Sequence, residues 1–275
     1  MIKKIIILLH IEAVLAANAV AYFFVAIHQI EVSIHYFILL STGTYVLYMA
    51  DHLMDVRNKD IGQLCERHKL YKIHMRLCAS LMAFFIFMGA VFAALFFDIN
   101  MCICGAVMII LCTIYILNCH KKAIILLPKE IFGAIIFSLS VTLYPVLIVG
   151  YISIQHIFWM ILISVSVALN LIFFAIISEN EDRTAQFQSL ITSLGLQYAI
   201  RLGIYIYILN ICISIFYIYF SNSKDIEYII IFNIINSIYM AGMHNKNTIK
   251  NNEINRILAD MLLVLPGILC RLLSI

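Results

Sequence analysis

The chain has 275 residues, of which 64% are hydrophobic and only 12% charged, and its formal net charge is +3. Soluble domains of this length carry far fewer apolar side chains, so the composition indicates an integral membrane protein. The small net charge gives no reason to expect nucleic-acid binding. Because lipid cannot satisfy open backbone groups, the spans are expected to be helical and the fold class all-α.

Nine apolar stretches recur along the chain, and each is close to the roughly 20 residues that a helix needs to cross the hydrocarbon. They lie at 5–27, 32–50, 77–97, 100–118, 131–153, 157–177, 202–221, 226–242 and 257–274. The first stretch lacks a small-residue cleavage site after a short core, which favours an uncleaved span over a signal peptide. We predict one polytopic membrane domain over residues 1–275, with long connections at 51–76, 119–130, 178–201 and 243–256.

The basic residues are distributed very unequally about the predicted membrane. Of the 18 lysines and arginines, all except Lys224 and Arg271 fall in the N-terminal segment or in those four long connections. Connections on the cytoplasmic side carry an excess of lysine and arginine. The distribution therefore predicts a cytoplasmic N-terminus, four cytoplasmic connections and a C-terminus on the opposite side.

The first of two acidic patches follows the second predicted span and contains Asp51, Asp55 and Asp60. Asp51 and Asp55 are four residues apart, so at a helix end their carboxylates project from one face and repel each other. A magnesium ion binds through one or two such carboxylates, together with water and substrate phosphate oxygens. Arg57 is placed to hold the remaining phosphate charge. The alternative is that these are solvated helix-end residues paired with Arg57 and Lys59.

The second acidic patch follows the sixth predicted span and contains Glu179, Glu181 and Asp182. Ser178 stands four residues before Asp182, and Glu179 can pair with Arg183 across one helical turn. Both patches come after corresponding spans and lie on the same predicted face. We therefore expect them to converge on one site that holds a divalent metal ion and a phosphorylated lipid.

Polar residues elsewhere have two interpretations each. Asn18 lies in the first span, where it either lines a cavity or makes an interhelical hydrogen bond. Lys121, Lys122 and Lys129 either bind a diphosphate or only determine the topology. Glu12, about eight residues into the same span as Asn18, is within reach of the cytoplasmic interface.

Cysteine and histidine residues show no recognisable zinc pattern. Cys65, His68 and His74 lie near one another in the connection 51–76, but their spacing favours a structural role. The eight cysteines of the chain are scattered and mostly lie inside apolar runs. We therefore interpret them as small buried hydrophobic residues.

Three segments resemble the motifs of the UbiA family of membrane prenyltransferases. The segment from Asp51 to Asp55 matches two aspartates of the family's first motif, and the segment from Glu181 to Gly195 is similar to its second. Tyr115 followed by the lysine pair at 121–122 is similar to the family's tyrosine and basic segment. The chain departs from the pattern at three positions, which carry Leu47, Ser178 and Gln186. It therefore resembles a divergent branch, like UbiA-like proteins of Bacteroidetes.

The resemblance implies a nine-helix bundle around a central cavity, in a bacterial inner membrane. It implies transfer of a prenyl group from an isoprenoid diphosphate to a lipophilic acceptor, often aromatic. Asp51, Asp55 and Asp182 would be the catalytic residues that hold Mg²⁺, with Glu179 or Glu181 replacing the lost acid. The implied diphosphate-binding residues are Lys121, Lys122, Lys129, Arg57 and Arg183, and the implied cavity residues are Asn18 and Tyr115.

Two other functions are compatible with the same sequence. The first is a catalytically silent UbiA-like protein that binds an isoprenoid or quinone, or acts as a scaffold. The serine at 178, where the family has an acid, is the main argument for it. The second is a transporter, which ranks lowest because its carboxylates are expected near the membrane midplane rather than at one surface.

Overall fold

The computed structural model describes residues 10–120, 128–221, 226–244 and 252–273, and all regular structure in those ranges is helical. The helices of the first half of the chain are α1 (Ile11–Ile27), α2 (Ile34–Val56), α3 (Glu66–Ile73), α4 (Met75–Phe96), α5 (Ile99–His120) and α6 (Lys129–Val149). The remaining helices are α7 (Ile154–Ile177), α8 (Glu179–Ala185), α9 (Leu190–Leu194), α10 (Leu196–Ser221), α11 (Ile226–His244), α12 (Asn252–Leu262) and α13 (Leu265–Leu273). A single 3₁₀ turn at Ile61–Gln63 precedes α3.

Within the described ranges, six helices are long and apolar enough to cross a membrane, namely α4, α5, α6, α7, α10 and α11. The chain is thus an integral membrane protein with an all-α fold. Two further predicted spans coincide with α1, a shorter apolar helix, and with α2. The beginning of the first predicted span, residues 5–9, lies outside the described residues.

The last predicted span is not one continuous helix. It covers parts of α12 and α13, which are separated by a turn at residues 263–264. Pro266 explains this break, because proline has no amide N–H to continue a helix but is tolerated in the first turn of the next one. Gly267 then lets α13 approach α1 closely, since a Cβ at this position would lie 2.5 Å from the carbonyl oxygen of Ala19.

Helix α7 forms the centre of the bundle, and α4 and α5 form part of its periphery. Six large side chains of α7 are almost completely buried: Trp159, Leu162, Ile163, Leu169, Ile172 and Ile176. By contrast, many large apolar side chains of α4 and α5 are exposed, including Phe87, Leu95 and Ile109. A helix that is apolar on all sides is stable either in a core or against lipid. Helix α7 is therefore an interior helix, whereas α4 and α5 face lipid.

A proline inside α6 creates a polar contact between α2 and α6. Pro145 has no amide N–H, so the carbonyl oxygen of Val141 loses its helical partner. The buried hydroxyl of Tyr36 on α2 donates a hydrogen bond to that oxygen over 2.8 Å. The tyrosine thus satisfies an acceptor that would otherwise be unpaired in an apolar region.

Replacing Tyr36 with phenylalanine is expected to lower the free energy of unfolding by about 1 kcal/mol, because the Val141 oxygen loses its donor. Thermal or denaturant unfolding in detergent measures the change. The effect should shrink in the background Pro145→Ala, where a restored amide N–H at position 145 can bond the same oxygen. Equal losses in both backgrounds would show that the hydroxyl does not act through Val141.

Candidate functional site

The first acidic patch lies at the C-terminal end of α2. Asp51 and Asp55 are one helical turn apart there, and both are half-buried. Helix α3 folds back beside this end, and Lys72 donates hydrogen bonds to the carbonyl oxygens of Val56 and Arg57, both over 2.9 Å. A lysine at this position satisfies open carbonyl groups and offsets the negative end of the helix dipole. Local capping therefore fixes α3 against the acidic end of α2.

The second acidic patch forms the first turn of the short helix α8, directly after α7. Its three acidic residues occupy the end of a helix where negative charge is favourable. The chain then reverses at Gln186, which has a left-handed backbone with a φ of 52°. The amide of Phe187 donates a 2.8 Å hydrogen bond to the carbonyl oxygen of Asp182. This turn directs Phe187 back toward the bundle.

The two acidic patches meet in the folded chain. The ring of Phe187 packs against that of His68 on α3, with centroids 4.6 Å apart. The ammonium group of Lys59 donates to the carbonyl oxygen of Gln186 over 3.3 Å. Phe187 also belongs to a buried apolar cluster that includes Leu53 of α2 and Tyr71 of α3. The segments that carry the two patches therefore lie side by side, while their shared metal and phosphate site stays a prediction.

Lys129, the first residue of α6, lies within electrostatic range of both Asp51 and Asp182. Burial raises the pKa of Asp182, while Lys129, a hydrogen bond with Ser189 and the charge of Arg256 oppose that shift. A raised pKa marks a carboxylate that lacks enough positive charge for its degree of burial. Asp182 is therefore suited to bind a cation, or a ligand that carries a cation with it.

The neighbouring histidine His68 pairs with Asp55. Its Nε2 lies 3.7 Å from the Asp55 Oδ2, and its Nδ1 lies 3.0 Å from the Cys65 Sγ. Burial lowers the pKa of His68, but the interactions with Asp55 and Cys65 outweigh burial and raise the pKa to about 9. At neutral pH the ring is therefore a cation beside the first patch.

A second polar network ties α1 to α3 behind the site. Arg67 donates to His10 Nδ1 over 2.7 Å and lies 3.5 Å from Glu12 Oε1. Because Nδ1 accepts, the other nitrogen of His10 carries the proton and donates to the Tyr71 hydroxyl over 2.5 Å. Glu12 is buried, and a buried carboxylate needs such a partner. Glu12 thus reaches the end of the bundle where the acidic patches lie.

Arg256 of α12 contacts Ser178, the serine at the position where the resemblance leads one to expect an acid. Its guanidinium group donates to the Ser178 hydroxyl and lies 3.3 Å from Glu181 Oε2. Glu179 pairs with Arg183 over 3.1 Å, as its spacing suggested. Both glutamates that were predicted to replace the missing metal ligand therefore face arginines. Their role as metal ligands stays a prediction.

Arg256 and its neighbour one turn later were not recognised as site residues from the sequence. Asp260 is buried and accepts a 3.1 Å hydrogen bond from the side chain of Asn170 on α7. Both residues come from α12, more than seventy residues beyond the second patch. The four-residue spacing of Arg256 and Asp260 at the start of the last apolar stretch was the one available signal.

The other predicted site residues are exposed, make contacts between helices or fall outside the described part of the chain. Lys121 and Lys122 are outside the described residues, and Arg57 and Arg183 are exposed. Asn18 donates a hydrogen bond to the Ser41 hydroxyl on α2 over 2.8 Å. It thus makes the interhelical hydrogen bond that was one of its two interpretations.

Tyr115 of α5 packs on α6. Its ring centroid is 6.1 Å from that of Phe132, and a Cβ at Gly133 would lie 3.4 Å from the same tyrosine ring. The ring thus lies in van der Waals range of α6 at position 133. Its predicted role as a cavity residue remains untested.

No family model and no curated protein matches this sequence. The fold, in contrast, resembles the apo structure of a UbiA homolog from Aeropyrum pernix K1, with a TM-score of 0.64. The match covers 95% of this chain and 98% of the other, at 14% sequence identity. The chain has the UbiA fold. The resemblance drawn from the two acidic motifs is confirmed at the level of the fold, while the branch remains a prediction.

Proposed function

We propose that the protein transfers a prenyl group from an isoprenoid diphosphate to a lipophilic or aromatic acceptor at the cytoplasmic face of the membrane, with Mg²⁺. The UbiA fold and the meeting of the two acidic patches support this proposal. One observation carries it: Lys129 lies within electrostatic range of Asp51 from the first patch and of Asp182 from the second. A lysine whose charge acts on one half-buried carboxylate of each patch is suited to hold a diphosphate beside its cation.

The donor chemistry of the proposed ligands suits a magnesium ion. Asp51, Asp55 and Asp182 supply carboxylate oxygens, which are the ligands that Mg²⁺ prefers. When bound, the ion neutralises negative charge on the diphosphate as it leaves. Lys129 holds phosphate oxygens as a point charge, and Arg256 holds them through its planar set of donors. Charge stabilisation of the leaving group is the main catalytic contribution, and the reaction needs no nucleophilic side chain.

The departure at Ser178 has a consequence in this proposal. Where the family has an acid, this chain has a hydroxyl that accepts from Arg256. The site thus has one carboxylate fewer than the family pattern, and a guanidinium group contacts the hydroxyl that stands in its place. We propose that Arg256 binds a diphosphate oxygen directly and so takes over part of the charge neutralisation that a metal ion otherwise provides.

The same observation favours one alternative, a catalytically silent protein that binds an isoprenoid or quinone, or serves as a scaffold. In that case Arg256 would only neutralise Glu181, which lies 3.3 Å away. The site would then bind its ligand without cleaving it. The transporter has no specific support, because the charged cluster lies at one end of the bundle.

The experiment that separates these functions uses the full chain in lipid nanodiscs. Geranyl, farnesyl and geranylgeranyl diphosphate are each added with Mg²⁺, and released pyrophosphate and prenylated products are measured. The proposal predicts release that depends on Mg²⁺ and increases with a suitable acceptor. Saturable binding of a prenyl diphosphate without any release, in the presence of a broad set of acceptors, would instead support the silent protein.

A further inference from the structure

A mixed cluster of histidine and aspartate lies beside the proposed magnesium ligands. His52 and Asp55 are three residues apart on α2, and His68 faces them from α3. One ligand atom from each of the three residues lies within 4.8 Å of the other two. The rings of His52 and His68 are perpendicular, with centroids 5.0 Å apart. Two imidazoles and a carboxylate thus converge at the end of α2.

The imidazole of His52 has no hydrogen-bond partner among the described residues. Both of its ring nitrogens are buried, and neither finds a donor or acceptor. A buried polar group without a partner costs about 1–3 kcal/mol, so it calls for an explanation. The ion pair gives His68 and Asp55 an electrostatic partner each. Both ring nitrogens of His52 still lack a hydrogen-bond partner in the described part of the chain. A ligand at this position accounts for all three side chains.

The arrangement of His68 also matches a metal-binding histidine. Its Nδ1 lies 3.0 Å from the Cys65 Sγ, while its Nε2 points toward Asp55. Histidines that bind metals usually have the second ring nitrogen held by another protein group, which fixes the ring orientation. Cys65 provides such a group here, without belonging to the ligand set.

The donor atoms indicate the class of metal. Two imidazole nitrogens and one carboxylate oxygen suit borderline cations such as Zn²⁺, Co²⁺ or Fe²⁺, whereas Mg²⁺ prefers oxygen alone. Zinc bonds of about 2.0–2.2 Å place tetrahedral ligand atoms roughly 3.4 Å apart, so the cluster would contract slightly around the ion. Because ligation needs a neutral ring, a bound ion would take the place of a proton on His68 Nε2.

We infer that His52, Asp55 and His68 form a three-ligand site for a divalent transition metal of the zinc class. The inference rests on the proposed function for the role of the ion, which would be to neutralise diphosphate charge next to Lys129. The binding of the metal is measurable by itself. Asp55 would then serve both this ion and the magnesium site.

The test uses the full chain in detergent after treatment with a chelator, titrated with Co²⁺ while its visible absorption is recorded. We expect one Co²⁺ per chain with bands typical of nitrogen and oxygen ligands. His52→Gln should weaken binding by at least about 10- to 100-fold, in line with the effect of disturbing a metal's surroundings. His74→Gln is the matched control, since His74 is an exposed histidine of the same connection and should leave binding unchanged.

Two results would overturn the inference: wild-type protein without saturable Co²⁺ absorption, or His52→Gln that binds Co²⁺ as tightly as wild type. If His52→Gln does not fold, zinc-edge X-ray absorption of the wild type decides, since two imidazole ligands are expected and a shell without them contradicts the site. Pyrophosphate release with Mg²⁺ alone is measured in parallel. Its absence with intact Co²⁺ binding would reject the proposed function and leave the metal site standing.

Discussion

Replacing Asp51 with asparagine is expected to reduce Mg²⁺-dependent pyrophosphate release by about 100- to 1,000-fold. Asn keeps the shape of the side chain but removes the negative charge that holds the cation against the diphosphate. Losses of this size follow when one group that stabilises developing charge is removed from an enzyme site. Release of pyrophosphate under saturating prenyl diphosphate measures the effect directly.

Asp60→Asn is the matched control for this variant. Asp60 belongs to the same acidic segment of the sequence but is exposed, beyond the end of α2. Its substitution should leave release within about twofold of wild type, because exposed charges contribute little. Normal turnover by Asp51→Asn, with Asp60→Asn equally active, would remove Asp51 from the catalytic site. Thermal unfolding of both variants confirms that they are folded.

Replacing Lys129 with glutamine is expected to weaken productive binding of the diphosphate by about 30-fold or more. Lys129 is the lysine whose charge acts on both Asp51 and Asp182. Removing one partner of a close charge pair costs about 2–5 kcal/mol, part of which is the penalty of leaving the other charge unpaired. The loss should appear mainly in KM for the prenyl diphosphate, and Lys129→Arg should retain most of the affinity.

Lys69→Gln serves as the control for charge alone. Lys69 pairs with Glu66 over 3.0 Å on the exposed side of α3, where such pairs contribute little. The KM of the Lys69→Gln variant for the prenyl diphosphate should therefore stay close to the wild-type value. An equal rise in KM for the Lys69 and Lys129 variants would indicate a general effect of surface charge, and Lys129 would lose its specific role.

The membrane helices and the meeting of the acidic patches were predictable from the sequence. The length of an apolar stretch determines where a chain can cross lipid, and the predicted span 157–177 lies entirely within α7. Because the two patches follow the second and the sixth predicted span, the topology predicted that Asp51 and Asp182 lie at the same end of the bundle. The break before Pro266 was missed because apolar length hides a helix boundary inside a hydrophobic stretch.

The partners of the acidic residues were not predictable in the same way. Arg256 reaches Ser178 and Glu181 only because α12 packs beside the end of α7. His68 joins His52 only because α3 folds back, and their spacing in the sequence follows no recognised metal pattern. Such contacts depend on how the helices pack together, which composition and periodicity do not predict.

The most direct test of the central claim is a structure of the protein with Mn²⁺ and a non-hydrolysable farnesyl thiodiphosphate. The claim is that Asp51 and Asp182 hold one cation and one diphosphate beside Lys129. We expect an anomalous manganese peak in contact with at least one carboxylate from each acidic patch, and the diphosphate within hydrogen-bond distance of Lys129. A diphosphate bound elsewhere, or carboxylates that open onto separate surfaces, would contradict the claim.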